Sequence, residues 1–182
     1  MSTKTEATIE DLYRVDGKAE IVNGEIVHMS PTGRRPSFAS RGILFSLHEH
    51  EKRTKSGYAV GDNAGFTVNL PHRKSFSPDA AFYVGDIDSM KFFEGAPVFA
   101  AEVRSEGDYG ARAEREMARK RADYFAAGTL VVWDVDLLNE DVVRAYGADA
   151  PTHPRIFRRG ERADAEPAVP GWSMSVDDLF VE

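Results

Sequence analysis

Between Val98 and Ser105 the chain reads VFAAEVRS, and the place of Glu102 in that run restricts the folds open to it. Four small or apolar residues lead into Glu102 and Val103 follows, the composition of a strand covered on both faces. An ionised carboxylate removed from water is costly unless something compensates it. The fold must therefore bring a partner to Glu102. TLVVWDVD, Thr129 to Asp136, reads as a second buried strand. Between the two, Ala111 to Ala127 is rich in Ala, Glu, Arg and Lys, contains no Gly or Pro, and stops at Gly128, which predicts a helix with a glycine C-cap.

The rest of the chain supplies more strands and two earlier helices. Thr8 to Val15 predicts a short helix capped by Thr8, with Asp11 at the capping-box position. AEIVNGEIVHM alternates apolar and polar residues around Asn23-Gly24, the favoured type I′ turn, and predicts a hairpin. From Pro36 to about Thr54, Phe38, Ile43, Leu44 and Leu47 are spaced as one helix face, with His48, Glu49, Glu51 and Lys52 outward and Gly57 as the stop. Gly65 to Pro71 and Pro78 to Val84 read as strands, VVRAYG and RIFRRGE as peripheral strands or a hairpin, and PGWSMSVDDLFVE as a turn with a short terminal helix. That order predicts a mixed α/β sheet in a single domain, residues 1–182.

Composition narrows the function classes. With 42% hydrophobic and 29% charged residues the chain has the make-up of a globular protein. It contains no cysteine, which removes disulfides, thiol catalysis and cysteine-ligated zinc, and fits a reducing compartment. MSTKTEATIEDLY lacks the basic start and apolar stretch of a signal peptide, and no apolar run could span a bilayer, so the expectation is a cytoplasmic protein with no membrane partner. A net charge of −7 repels nucleic acid overall, so any DNA contact must be local. Arg34-Arg35, His72-Arg73-Lys74, Arg119-Lys120-Arg121 and Arg158-Arg159 are local basic clusters, each read first as solvated surface charge.

If strands 79–84 and 97–104 are antiparallel neighbours, pairing Val84 with Pro97 places Asp79 opposite Glu102, on one sheet face. Two facing carboxylates repel without a cation, and Mg²⁺ accepts one or two of them while water and phosphate oxygens fill its remaining positions. Lys120 falls in the stripe Ala113, Met117, Lys120, Tyr124 and Ala127 of the later helix, the face turned to the sheet, with Glu116, Arg119 and Asp123 free to point elsewhere. It is the candidate to steady an attacking water or the charge developing on a phosphodiester. The alternatives are structural: Asp79 opening a strand, Glu102 paired with Lys120 or Arg104, and Lys120 reaching along its helix to water. The histidines are scattered, and no P-loop, dinucleotide fingerprint or nucleophile elbow occurs.

EIVNGEI, MSP, SPDAAFYV, PVFAAEVRS, KRADYFAAGTLVVWDVD and PGWSMSVDDLF follow one another in an order that resembles the Uma-two family of the PD-(D/E)XK nuclease superfamily. The resemblance covers nearly the whole chain. It implies a restriction-endonuclease-like mixed β-sheet flanked by helices, with an N-terminal β-hairpin. It further implies Asp79 and Glu102 as ligands of Mg²⁺, with Mn²⁺ as a substitute, Lys120 as the catalytic lysine displaced onto the helix, and Glu20 as an additional acid. Arg104 stands where the superfamily signature has its strand lysine, and TGRRPSFAS replaces a histidine often found after the MSP turn. The implied activity is metal-dependent endonucleolytic hydrolysis of DNA. A catalytically inactive module binding protein or nucleic acid is the alternative, and a homodimer is left open.

Overall fold

A computed structural model describes residues 5–181. The opening MSTK, part of the stretch read above for a leader, lies outside them. Thr8 caps α1 (Ile9–Leu12) through a reciprocal capping box with Asp11, so the expected helix forms but ends a few residues early. β1 (Ala19–Val22) and β2 (Glu25–His28) make the expected hairpin. Asn23 and Gly24 at its turn have φ of +52° and +72°, the left-handed pair that a type I′ turn requires.

In α2 (Arg34–Thr54) the buried stripe is Ala39, Ile43, Leu47 and His50. Phe38, expected on that face, is instead 40% exposed, with the Arg41 guanidinium 4.7 Å from its ring centroid. The helix ends at Lys55, whose left-handed φ of +54° closes the last turn before Gly57 is reached.

The remaining elements are β3 (Tyr58–Val60), β4 (Phe66–Thr67), β5 (Ser75–Phe76), β6 (Ala80–Tyr83), β7 (Phe93–Glu94), β8 (Phe99–Val103), α3 (Ala111–Ala126), β9 (Val131–Val135), β10 (Val143–Gly147), β11 (Ala150–Phe157), β12 (Arg162–Asp164) and β13 (Ser173–Ser175), followed by a 3₁₀ turn, Val176–Leu179. Six strands form the main sheet in the order β11-β10-β9-β8-β6-β3. Only β8 and β9 run parallel in it, joined by α3 as the crossover that a parallel pair needs. The expected strand over Gly65–Pro71 contracts to Phe66–Thr67 in a small sheet with β5 and β7. Beyond it Val68 N–H donates to the Lys74 carbonyl and Leu70 N–H to the Arg73 carbonyl, so the chain turns back around Pro71.

Strand alternation divides the core between two layers. Phe99, Ala101, Val103, Val131, Trp133 and Val135 face one side, with Ile43 and Leu47 of α2 and Trp172 of the C-terminal segment. Ala81, Tyr83, Ala100 and Val132 face the other, with Phe66, Phe76 and Tyr124 of α3. The even-numbered positions of β8 therefore look toward α3, and so does Glu102. Ala80 pairs with Ala101, Ala81 with Ala100 and Phe82 with Phe99, the register expected above. Just before β6, Asp79 N–H donates to the Ala101 carbonyl at 3.1 Å, which sets Asp79 beside the end of β8 that carries Glu102. No helix among the described residues is long and apolar enough to cross a membrane.

Candidate active site

Lys18 and Glu20 sit two residues apart at the start of the hairpin, and both turn toward the open end of β6 and β8. Lys18 Nζ lies 2.8 Å from Asp79 Oδ1 and 2.7 Å from Asp62 Oδ1. The other Asp79 oxygen accepts Val103 N–H at 2.7 Å, so β8 itself holds that carboxylate in place. Glu20 is 2% exposed and receives three donors: Ser77 N–H at 2.7 Å, Arg73 Nη1 at 2.7 Å and Lys120 Nζ at 2.9 Å. Lys120 also reaches Glu102 Oε1, at 2.8 Å. Tyr124, one helical turn further on, donates its hydroxyl to the same oxygen at 2.6 Å.

The aromatic floor explains why these groups hold their positions. Tyr124 stacks on Phe76 with centroids 4.0 Å apart and planes 13° from parallel, while the Arg73 guanidinium also lies over the Phe76 ring, 4.8 Å from its centroid. Arg73 is buried, not solvated surface charge as its cluster suggested, and spans Glu20 and Asp123, its Nε donating to Asp123 Oδ2 at 2.8 Å. Asp123 is likewise buried rather than turned away, and His72 Nε2 meets its second oxygen at 2.6 Å. A guanidinium already sunk beside Phe76 needs that carboxylate, which overrides the helix-wheel position.

These neighbours set the ionisation of the cluster. Burial pushes the Glu102 carboxyl above its ordinary range; Lys120 opposes this, and the charges of Asp79 and Glu20 reinforce it. Burial also acts against the charge on Lys120, but Glu102 and Glu20 outweigh it and hold the ammonium more firmly protonated than usual. Burial works against the ionised Glu20 as well, yet Lys120 and Arg73 keep its carboxyl below the usual range.

Metal chemistry has a limited but suitable donor set here. Among the described residues no group of three or more His, Cys, Asp or Glu side chains gathers as a metal cage. Glu20 is committed to Arg73, Ser77 and Lys120, and Asp79 to Lys18 through one oxygen and to Val103 N–H through the other, which leaves Glu102 with an oxygen to spare. Glu102 is 27% exposed and uses Oε1 for both of its hydrogen bonds, so Oε2 is the oxygen that remains for an ion. A carboxylate with one unspent oxygen at a sheet end, beside a second acid, fits Mg²⁺, which needs one or two carboxylates from protein.

Arg104 does not join this cluster. Its Nε and Nη2 donate to Asp134 at 2.8 and 2.7 Å, and Glu114 takes its remaining edge, so it cannot stand in for the strand lysine of the signature. Of the four residues singled out from sequence, Glu20, Glu102 and Lys120 converge directly, and Asp79 is held beside them by Val103 N–H of β8, while Lys18 ties it to Asp62. Lys18, Arg73 and the Tyr124 hydroxyl were missed. Alternation in KAEIV, which sets Lys18 and Glu20 on one face, was the available signal for the first.

A mixed sheet whose parallel pair is bridged by a helix carries two acids at the end of its strands and a lysine delivered by that helix. A family model described as "Putative restriction endonuclease", Uma2, matches residues 7–177. The chain belongs to the Uma2 family. Among solved structures it is similar to a protein described as a putative nuclease belonging to DUF820 from Anabaena variabilis, with a TM-score of 0.73, 16% identity, and coverage of 96% of this chain and 97% of that one. That likeness is one of fold. No curated protein matches the chain.

Proposed function

We propose that this chain is a divalent-metal-dependent endonuclease that hydrolyses phosphodiester bonds of DNA. Asp79 and Glu102 are the ligands for Mg²⁺, with Mn²⁺ as a substitute, and Glu20 completes the acidic site. The observation that carries the reading is the double contact of Lys120 with Glu102 and Glu20, because it puts a protonated amine beside the free Glu102 oxygen. Membership of a nuclease-like family and the fold support the same chemistry. When bound, the ion polarises a phosphoryl oxygen and lowers the pKa of water.

The protein groups divide the remaining work. Lys120 is held charged, so it donates to the attacking water or to a phosphate oxygen and stabilises the charge that develops there; it does not collect the proton. Glu20 aims Lys120 from behind. Lys18, on Asp79, adds a second positive charge at the strand ends, which offsets locally a chain whose net charge is −7.

A second reading rests on one observation: each acid of the cluster already has a protein partner, Asp79 with Lys18, Glu20 with Arg73 and Lys120, Glu102 with Lys120 and Tyr124. A structural ion-pair network in a catalytically inactive binding module would look like this. The two readings separate in one assay. Purified wild type incubated with plasmid and oligonucleotide DNA in Mg²⁺ or Mn²⁺ should cut, and Glu102→Gln should not. Equal cleavage by both, or none by wild type, goes against the nuclease.

A further inference from the structure

The end of β8 also borders a second, quite different site. Arg104 N–H donates to the Val135 carbonyl at 2.9 Å, so the β8–β9 ladder continues past Val103 and Arg104 shares the face of Glu102. There it lines a cavity of about 400 Å³ together with Tyr109, Glu114, Asp136, Arg144 and Tyr146. This volume is in the range of sites that take small molecules or single ligand groups.

The lining charges cancel. Arg104 and Arg144 are matched by Glu114 and Asp136, and Arg104 is further neutralised by Asp134 beneath it. A cavity so balanced has no preference for a phosphate, and its density of charge disfavours an apolar guest. What it offers is two aromatic rings and a mixture of donors and acceptors. Tyr109 donates its hydroxyl to Asp136 at 2.9 Å, and the face of Tyr146 carries the Arg121 guanidinium at 3.9 Å from its centroid. Arg144 is the group left short. Its side chain is 19% exposed, its Asp136 partner is 3.9 Å away, and it makes no hydrogen bond among the described residues. A guanidinium that lines a cavity with unspent planar donors is stabilised by a guest that accepts them.

A neutral, planar group with acceptors along its edge meets these terms. We propose that this cavity receives one nucleobase of the substrate strand, unstacked from its neighbours, with Arg144 bonding its edge and Tyr109 and Tyr146 contacting its ring. The inference rests on the nuclease reading for its substrate and adds a base-reading subsite to it. Its position, two strand residues from Glu102, is about 6.6 Å along β8 and adjoins the catalytic acids.

The test uses the four neutral 2′-deoxynucleosides as probes, with inorganic phosphate as control, and follows the Tyr109 and Tyr146 ring resonances of the full chain by NMR. At least one nucleoside should shift both rings saturably at millimolar concentration, and Arg144→Ala should weaken that binding tenfold or more while phosphate leaves the rings unmoved. Arg144→Lys, which keeps the charge but not the planar fork, should also bind more weakly and serves if the alanine variant does not fold. Rings unmoved by all four nucleosides, equal binding by wild type and variants, or a response to phosphate alone would overturn the proposal. Cleavage of DNA without a nucleoside response sinks the base pocket and spares the nuclease; a nucleoside response in a chain that cuts nothing does the reverse.

Discussion

Lys120 Nζ lies 2.9 Å from Glu20 Oε1, so one amine on α3 fastens the N-terminal hairpin to the central sheet while it faces Glu102. Burial acts against the charge on this amine, and the two carboxylates more than offset it. The cluster is therefore both a piece of the fold and a candidate for chemistry, and substitutions at its different members should separate the two.

Glu20→Gln tests the structural side. The substitution keeps the acceptor for Ser77 N–H but leaves Arg73 and Lys120 short of a buried counter-charge, which should cost roughly 3 to 5 kcal/mol in a urea denaturation. Glu20 is held below its ordinary pKa of 4.5, so its stabilisation is present above that pH and is lost as pH falls through the folded value. Wild type should weaken on acidification in that window more than Glu20→Gln does. A variant as stable as wild type at neutral pH would contradict the account.

Glu102→Gln should behave in the opposite way. Because the folded pKa of Glu102 is raised, its contribution is favourable below the ordinary value of 4.5 and is lost as pH rises through the folded value. At neutral pH the amide should therefore fold at least as well as wild type, while metal-dependent cleavage disappears. For wild type, the rise in melting temperature caused by Mg²⁺ should grow with pH as Glu102 ionises, and Glu102→Gln should show no such rise. A metal-induced shift that is the same in both proteins would remove Glu102 from the ligand set.

Most of the framework was legible because it is written in local patterns. Asn23-Gly24 fixes the hairpin, and pairing the two strands as antiparallel neighbours from Val84 and Pro97 yields the register of Ala80 to Phe82 against Phe99 to Ala101. The spacing of Lys120 and Tyr124 placed both on the face turned to the sheet. What escaped depends on long-range charge. Arg73 and Asp123 each look like surface residues in their own segments, and only their meeting over Phe76 makes burial affordable. The two strands that flank β4 in the small sheet were unreadable for a related reason: Ser75–Phe76 and Phe93–Glu94 are two residues long and acquire their pairing from β4, not from any period of their own.

His50 offers a prediction away from the site. It is buried in α2 against Phe82, Arg53 approaches its Nδ1 at 3.1 Å, and its Nε2 has no hydrogen-bond partner among the described residues, so burial followed by the Arg53 charge lowers its pKa from 6.5. The folded protein thus refuses a proton that the unfolded chain accepts. Stability should be level above pH 6.5 in respect of this residue and should fall as pH drops from there through the folded value. Urea midpoints across that window should show the decline for wild type and lose this part of it in His50→Gln; identical slopes would reject the assignment.

The central claim is that Lys120 acts on the substrate as well as on the fold, and Lys120→Met tests it most directly. Methionine keeps much of the apolar stem and deletes the ammonium, so stability and chemistry can be read apart. Melting temperature and single-turnover cleavage of DNA are to be measured in the same saturating Mg²⁺ buffer. With the ion balancing Glu102 and Arg73 still paired to Glu20, the variant should remain folded while its cleavage rate falls by on the order of a hundredfold or more. A large loss of stability with cleavage per folded molecule unchanged would contradict the account and leave Lys120 as an ion-pair partner alone.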